Sequence, residues 1–320
     1  MYNSKFATDM IKMLDTLHNS GLQMEYLDSF LKDFDCFCVI NFPDDVLLTS
    51  DIAEAWIHNT SSKSSKQMSR RVCTMKHLGR YQRSLGKPAY VPDYSIKYRT
   101  IEEPRLFSDE QLREFFEKED TMITPTKTFP YNDIIFPVMF RMNYCCGLRS
   151  SESCNLKAED VDLSRGRISI YKSKGFKDRD ILMSDDLCAL CRKFDEIFQK
   201  ILPERKYFFQ PSESRERYDR HIVLNVFNAV LKKTSFADAP GKNFTPHGLR
   251  HLFAVQNIRK CAESGEDFSN WIEYLCKYMG HKHIRYTMYY LHITSQLFPV
   301  YKDKLKLLGE RIGVMYVEEE

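Results

Sequence analysis

Met279-Gly280-His281-Lys282-His283-Ile284-Arg285-Tyr286-Thr287-Met288-Tyr289-Tyr290 places a tyrosine nine residues after a histidine that itself follows glycine. Upstream, Thr245-Pro246-His247-Gly248-Leu249-Arg250-His251 adds histidines and an arginine. Gly147-Leu148-Arg149-Ser150-Ser151-Glu152 adds a further arginine with a carboxylate three residues on. Each piece is weak alone. An isolated arginine is most often a surface cation, and His-x-x-Arg on a helix only sets two side chains on nearly one face. Together they are the parts that attack on a phosphodiester needs without a metal: planar cations for the phosphate oxygens, imidazoles, and a hydroxyl nucleophile.

The bounds agree with an ordinary folded protein. The chain has 320 residues, 43% hydrophobic and 28% charged, enough for two domains. No run approaches the roughly 18 apolar residues of a membrane span. Met1-Tyr2-Asn3-Ser4-Lys5 lacks the charged-then-apolar pattern of a signal peptide, so a cytoplasmic, nucleoid-associated location is expected, with the ten cysteines as reduced thiols. Cys188 and Cys191 form a C-x-x-C, but they fall in a helical pattern with Leu187, Leu190, Phe194, Ile197 and Phe198, which reads as core and not as a zinc site. No Gly-rich phosphate loop is present, which argues against ATP-dependent chemistry. Neither a metal nor a nucleotide cofactor is expected.

Apolar residues recur at helical spacing through residues 1–35, and Thr49-Ser50-Asp51 reads as a helix start before Ile52, Ala55, Trp56 and Ile57. Pro88, Pro92 and Pro104 punctuate a stretch with little periodicity, the best linker. The boundary is expected near residue 105, with a helical domain over 1–105 and a second, mostly helical domain over 106–320. Within the latter, Arg167–Tyr171 and Asp180–Met183 flank a Gly-containing turn and read as a β-hairpin. The fold class expected is mainly α with a small β-hairpin or sheet. Charge is uneven: residues 1–59 hold three Lys/Arg and ten Asp/Glu, whereas 60–100 hold ten Lys/Arg and one Asp. The basic segment suggests a face toward a polyanion, with Lys66, Arg70, Arg71 and Lys76 as contacts; an ordinary solvated helix is the plainer alternative. Near the C-terminus, Tyr301, Leu305, Leu308 and Ile312 form one apolar stripe after Pro299, the pattern of an assembly helix.

Over about residues 105–295 the chain resembles the tyrosine recombinase superfamily of lambda-type integrases and Xer proteins. Cys145 to Asp162 is similar to its first arginine box, Ser173–Arg179 to its lysine-bearing hairpin, His247–His251 to its second box, and Gly280-His281 with Tyr290 to its third. The stretch from Arg250 to His281 is longer than in Xer-type members, with an apparent insertion near 261–270. That feature and Tyr289-Tyr290-Leu291-His292 look like recombinases of site-specific transposons and other mobile elements.

The resemblance implies a two-domain architecture, with a core-DNA-binding (SAM-like) domain before a catalytic one, and cleavage and rejoining of DNA through a 3′-phosphotyrosine on Tyr290. Arg149, Arg250 and His281 would stabilise the phosphate charge, and Glu152 would orient Arg149. His247 would take the tyrosine proton, and Lys174 would protonate the leaving 5′ oxygen. Lys172 and Lys177 compete with Lys174, and Tyr289 with Tyr290; the spacing from His281 favours Tyr290. His251 and His292 fit beside the site without an assigned step. The implied partners are double-stranded DNA with inverted-repeat core sites, further copies of the chain in a tetramer, and accessory proteins or partner recombinases, with no membrane. A catalytically silent DNA-binding relative, or a type IB topoisomerase-like enzyme, are the alternatives.

Overall fold

Helices α1 (Ala7–Asn19), α2 (Glu25–Asn41), α3 (Ser50–His58) and α4 (Ser65–Ser84) build the N-terminal part of the computed structural model. The structure describes residues 2–20, 25–59, 64–96, 104–122, 125–171, 178–238, 244–264 and 266–293. They divide into two compact units, Met1–Glu102 and Glu103–Glu320. The rest, including Lys172, Lys174, Lys177 and the stripe of Tyr301, Leu305, Leu308 and Ile312, lies outside the described residues. Among those described, no helix is long and apolar enough to cross a membrane.

In the first unit, Thr49 caps α3 by accepting from the Ile52 amide, as its sequence suggested. The core gathers Phe6, Leu31, Phe34, Trp56, Met75 and Leu78, with Phe34 edge-on to Trp56. Gln82 is fully buried and fully used. It accepts from the Leu48 amide and donates to Asp9 and to the Val46 carbonyl, so one α4 side chain ties α1 and the loop before α3 to α4. Gly79 lets the Tyr90 segment lie against α4, since a Cβ there would meet the Tyr90 carbonyl oxygen at 2.0 Å.

Arg71 departs from the expected basic face. Its guanidinium is buried over the Trp56 ring, pairs with Asp33 at 2.7 Å and donates to the Trp56 carbonyl. The reason is helical phase: Arg71, Met75, Leu78 and Gln82 share the buried face of α4. Lys66 and Arg70 are exposed, and Lys76, half-buried, reaches Ser95.

The second unit is mostly helical: α5 (Asp109–Met122), α6 (Asn132–Cys145), α7 (Ser150–Cys154), α8 (Asp185–Ile201), α9 (Arg220–Leu231), α10 (Pro246–Ser264), α11 (Phe268–Tyr278) and α12 (Arg285–Ile293). Its antiparallel sheet runs β1 (Val161–Asp162), β2 (Arg167–Ile170), β3 (Arg179–Leu182), in that order. β2 and β3 are the expected hairpin, in register Ile168↔Ile181 and Ile170↔Arg179; β1 is too short for a sequence signal. The fold class is therefore mainly α with a small sheet. Cys188 and Cys191 are core residues of α8, with Phe194 and Phe198 on the same stripe. The segment read as an insertion is the end of α10 and the start of α11, where Asp267 caps by accepting from the Ser269 amide.

Candidate active site

α6 ends at Cys145, and Gly147 turns the chain with φ +60 toward α7. Phe253 of α10 packs so close that a Cβ at Gly147 would meet its ring at 2.5 Å. Arg149 follows as the residue preceding α7. Glu152 reaches back to accept from the Arg149 amide at 2.9 Å and from its Nη1 at 2.7 Å. One short motif thus makes the helix start and aims the guanidinium together.

Glu152 is held from two further directions. Arg179, at the start of β3, donates Nη1 to Oε1 at 3.0 Å and Nη2 to Oε2 at 2.8 Å, a bidentate pair buried on both sides. Arg250 of α10 brings Nη1 to 3.8 Å from Oε2. Burial alone would raise the Glu152 pKa. Hydrogen bonding by Arg179 and the charges of Arg179, Arg149 and Arg250 outweigh it and hold the carboxyl down at about 2. Three guanidiniums around one carboxylate leave the site with surplus positive charge, the complement of a phosphodiester.

The turn between α11 and α12 closes the site. Arg250 is 1% exposed; its Nη1 donates to the Gly147 carbonyl and its Nη2 to the Met279 carbonyl. Arg149 Nη2 reaches the Gly280 carbonyl at 3.4 Å. Gly280 has φ +63, and a Cβ there would lie 3.0 Å from Arg179 Nη1. Burial and the neighbouring Arg149 lower the Arg250 pKa to about 10, so it stays charged at neutral pH.

His281 lies between Arg250 and α12. Its Nε2 is 3.3 Å from Arg250 Nη2 and its Nδ1 is 2.8 Å from the hydroxyl of the fully buried Thr287. A guanidinium only donates, so Nε2 is the acceptor and Nδ1 carries the proton. Burial, then Arg250, Arg149 and Arg179, push the ring's pKa down to about 3, leaving it neutral. In this state His281 accepts through Nε2; the sequence reading has it donating to phosphate.

Tyr290 projects from α12 into the same place and is 3% exposed. Its ring lies 6.1 Å from that of His281, nearly parallel. Its hydroxyl is 3.1 Å from His251 Nδ1, and the charge of Arg250 acts on it. Burial raises its pKa against the opposing pull of Arg250 and Arg149. Tyr289 is a half-buried neighbour, its ring 6.0 Å from that of Tyr290. His247, in the first turn of α10, is exposed, its ring edge-on to His251 at 4.4 Å.

The structure therefore gathers Arg149, Glu152, Arg250, His281 and Tyr290, with His247 adjoining through His251. Two residues with no step in the sequence reading belong here. Arg179 shares a strand face with the buried Ile181, and that period-two spacing was the available signal. His251 stands one turn beyond His247 on the same helix face.

The phage integrase family matches residues 110–296, more than half of the chain. Tyrosine recombinase XerA of Thermococcus kodakarensis is 29% identical over 214 residues, 66% of this chain and 67% of that protein. Putative integrase/recombinase y4rB of Sinorhizobium fredii is 23% identical over 319 residues, 96% of this chain and 98% of the relative. Among solved structures, the Tn1549 transposon integrase in complex with transposon right end DNA has a TM-score of 0.61 at 14% identity, covering 95% of this chain and 99% of that one. A lambda integrase dimer bound to a COC′ core site has a TM-score of 0.59 at 15% identity, over 89% and 76%. At such identities the likeness is one of fold. The family match across most of the second unit, where the arginines, histidines and tyrosine converge, places this chain in the phage integrase family as a tyrosine-type site-specific recombinase.

Proposed function

We propose that Tyr290 is the nucleophile with which this chain cuts and rejoins duplex DNA at inverted-repeat core sites, to integrate, excise or transpose a mobile element. The Tyr290 oxygen attacks phosphorus and the P–O5′ bond breaks. A 3′-phosphotyrosine conserves the energy of the broken link for rejoining. Arg149 and Arg250 present forks to the non-bridging oxygens, and Glu152 with Arg179 holds them in place before substrate arrives. His281 joins them once the phosphate draws Arg250 away from Nε2 and its negative charge favours a protonated ring. Lys174, in the sequence between β2 and β3, gives the 5′ oxygen its proton. The N-terminal unit adds phosphate contacts through Lys66, Arg70 and Lys76. Copies of the chain assemble as a tetramer on paired sites, with the C-terminal stripe as the assembly element.

The observation that carries this reading is the surplus positive charge around Glu152 with the Tyr290 hydroxyl beside it. DNA as the partner is supported by the similarly folded Tn1549 and lambda integrases, whose structures hold DNA. The test is capture. Wild-type protein is mixed, in EDTA and without ATP, with duplexes that carry a randomised inverted repeat and a nick in the spacer. Denaturation-resistant adducts are then recovered and their DNA sequenced. The expected result is enrichment of one repeat by wild type, none by Tyr290→Phe, and binding of that repeat by both. Adduct formation by Tyr290→Phe, or a strict need for magnesium, contradicts the proposal.

A further inference from the structure

The phenol that attacks phosphorus must lose a proton, and the sequence alone left His247 as its acceptor. The geometry points to His251 instead: we propose that its Nδ1 takes the Tyr290 proton during strand cleavage and returns it during rejoining. This rests on Tyr290 being the nucleophile.

Three observations carry it. First, His251 Nδ1 lies 3.1 Å from the Tyr290 oxygen, within the reach a general base needs. Second, the positive charge of Arg250 acts on the phenol oxygen and favours the negative charge that develops there. In this assignment the phenol's O–H donates to the Nδ1 lone pair, with the His251 proton on Nε2. Third, His247 is exposed in the first turn of α10, its ring 4.4 Å from that of His251, so it stands one residue further from the hydroxyl in this chain of groups.

Burial, His247 and Arg250 keep the His251 ring neutral, with its pKa lowered to about 3, so the lone pair is present throughout the neutral range. So weak a base suffices only because transfer is concerted with attack. As the Tyr290 oxygen bonds to phosphorus its O–H acidity climbs, and the bound phosphodiester's negative charge offsets Arg250. The balance is then complete: the O–H bond breaks as N–H forms on His251, and the P–O5′ bond breaks as O–P forms. The 5′ oxygen takes its proton from a separate acid, Lys174 in the reading above. His247 is left to serve the phosphate.

The experiment uses the full chain and the repeat captured by wild type, comparing His251→Ala, His251→Asn and His247→Ala. The Asn amide oxygen sits near the Nδ1 position and can hold the phenol without taking its proton. Single-site binding by each variant shows that it is folded. Cleavage by both His251 variants is expected to fall about 100-fold or more at neutral pH. Their rates should then rise about tenfold per pH unit, following the phenolate, where wild type is flat. Replacing the bridging 5′ oxygen with sulfur, whose thiolate leaves without a proton, should not restore them. If His251→Asn matches wild type in rate and pH profile, His251 only positions the ring and the inference fails. If sulfur restores the His251 variants, or if His247→Ala alone shows the steep profile, it also fails. Failure of wild type to capture any duplex overturns the Tyr290 reading itself, and the base assignment with it.

Discussion

Glu152 is the residue on which the site's order depends. Its two oxygens meet Arg149 and Arg179 through short hydrogen bonds and Arg250 at longer range, and one of them also binds the Arg149 amide. Its pKa, near 4.5 in an unfolded chain and about 2 when folded, makes it a stabilising charge. A lowered carboxylate pKa contributes fully above the unfolded value and is lost as pH falls through the folded one. The shift corresponds to on the order of 3 kcal/mol. Glu152→Gln should therefore lower unfolding stability by roughly that amount at pH 7. In urea titrations at a series of pH values, the gap to wild type should narrow between pH 4.5 and about 2. A gap that stays constant with pH would mean the carboxylate's charge is not what Glu152 contributes. Cleavage should fall further than stability, because two arginines lose their anchor. The sequence made Glu152 legible as a partner of Arg149 through its three-residue spacing. It gave no sign that Arg179, on a strand, shares the same carboxylate.

Among the elements, the turn between α11 and α12 does most to assemble the site. Its Met279 and Gly280 carbonyls receive Arg250 and Arg149, and its next residue is His281. Gly280 has a left-handed backbone and sits against the Arg179 guanidinium. Gly280→Ala should cost about 1–2 kcal/mol from the backbone alone. Arg179 must also shift, so adduct formation should drop at least tenfold while DNA binding changes little. Thermal melting and single-turnover cleavage measure the two effects; a destabilised variant that cleaves at the wild-type rate would show that the turn matters only for folding. This element was legible because its residues are contiguous: glycine, histidine and the later tyrosine announce themselves by spacing. The sheet was half legible. The β2–β3 hairpin had two β-rich runs around a turn, whereas β1 is two residues long and exists only through pairing with β2.

Across the whole molecule, charge is partitioned by sequence and then sorted by folding. The acidic 1–59 and basic 60–100 segments both belong to the first unit. Counting charges alone overstated the basic face, because Arg71 falls in phase with Met75 and Leu78 and is spent on Asp33 and Trp56. The position four residues before Met75 was the available clue. Exchanging Lys66, Arg70 and Lys76 for Gln should flatten the dependence of DNA affinity on salt by about 0.9 per lost contact, without altering the melting temperature. Arg71→Gln should do the reverse, destabilising the first unit by about 1–2 kcal/mol through lost packing on Trp56 and loss of the donor to the Trp56 carbonyl, while the half-exposed Asp33 keeps its bond from Trp56 Nε1. Gel-shift titrations across salt, set beside melting curves, separate the two. An unchanged salt slope in the triple variant would put that face in solvent.

Locating the covalent bond shows whether Tyr290 carries the DNA. The adduct captured by wild type can be digested with nuclease and trypsin, which cuts after Arg285 and Lys302. Fragmentation of the Tyr286–Lys302 peptide then reads which of its tyrosines bears the nucleotide remnant. A 3′-linked phosphate is expected on Tyr290 alone; a remnant on Tyr289, Tyr286 or Tyr301 would put the nucleophile elsewhere.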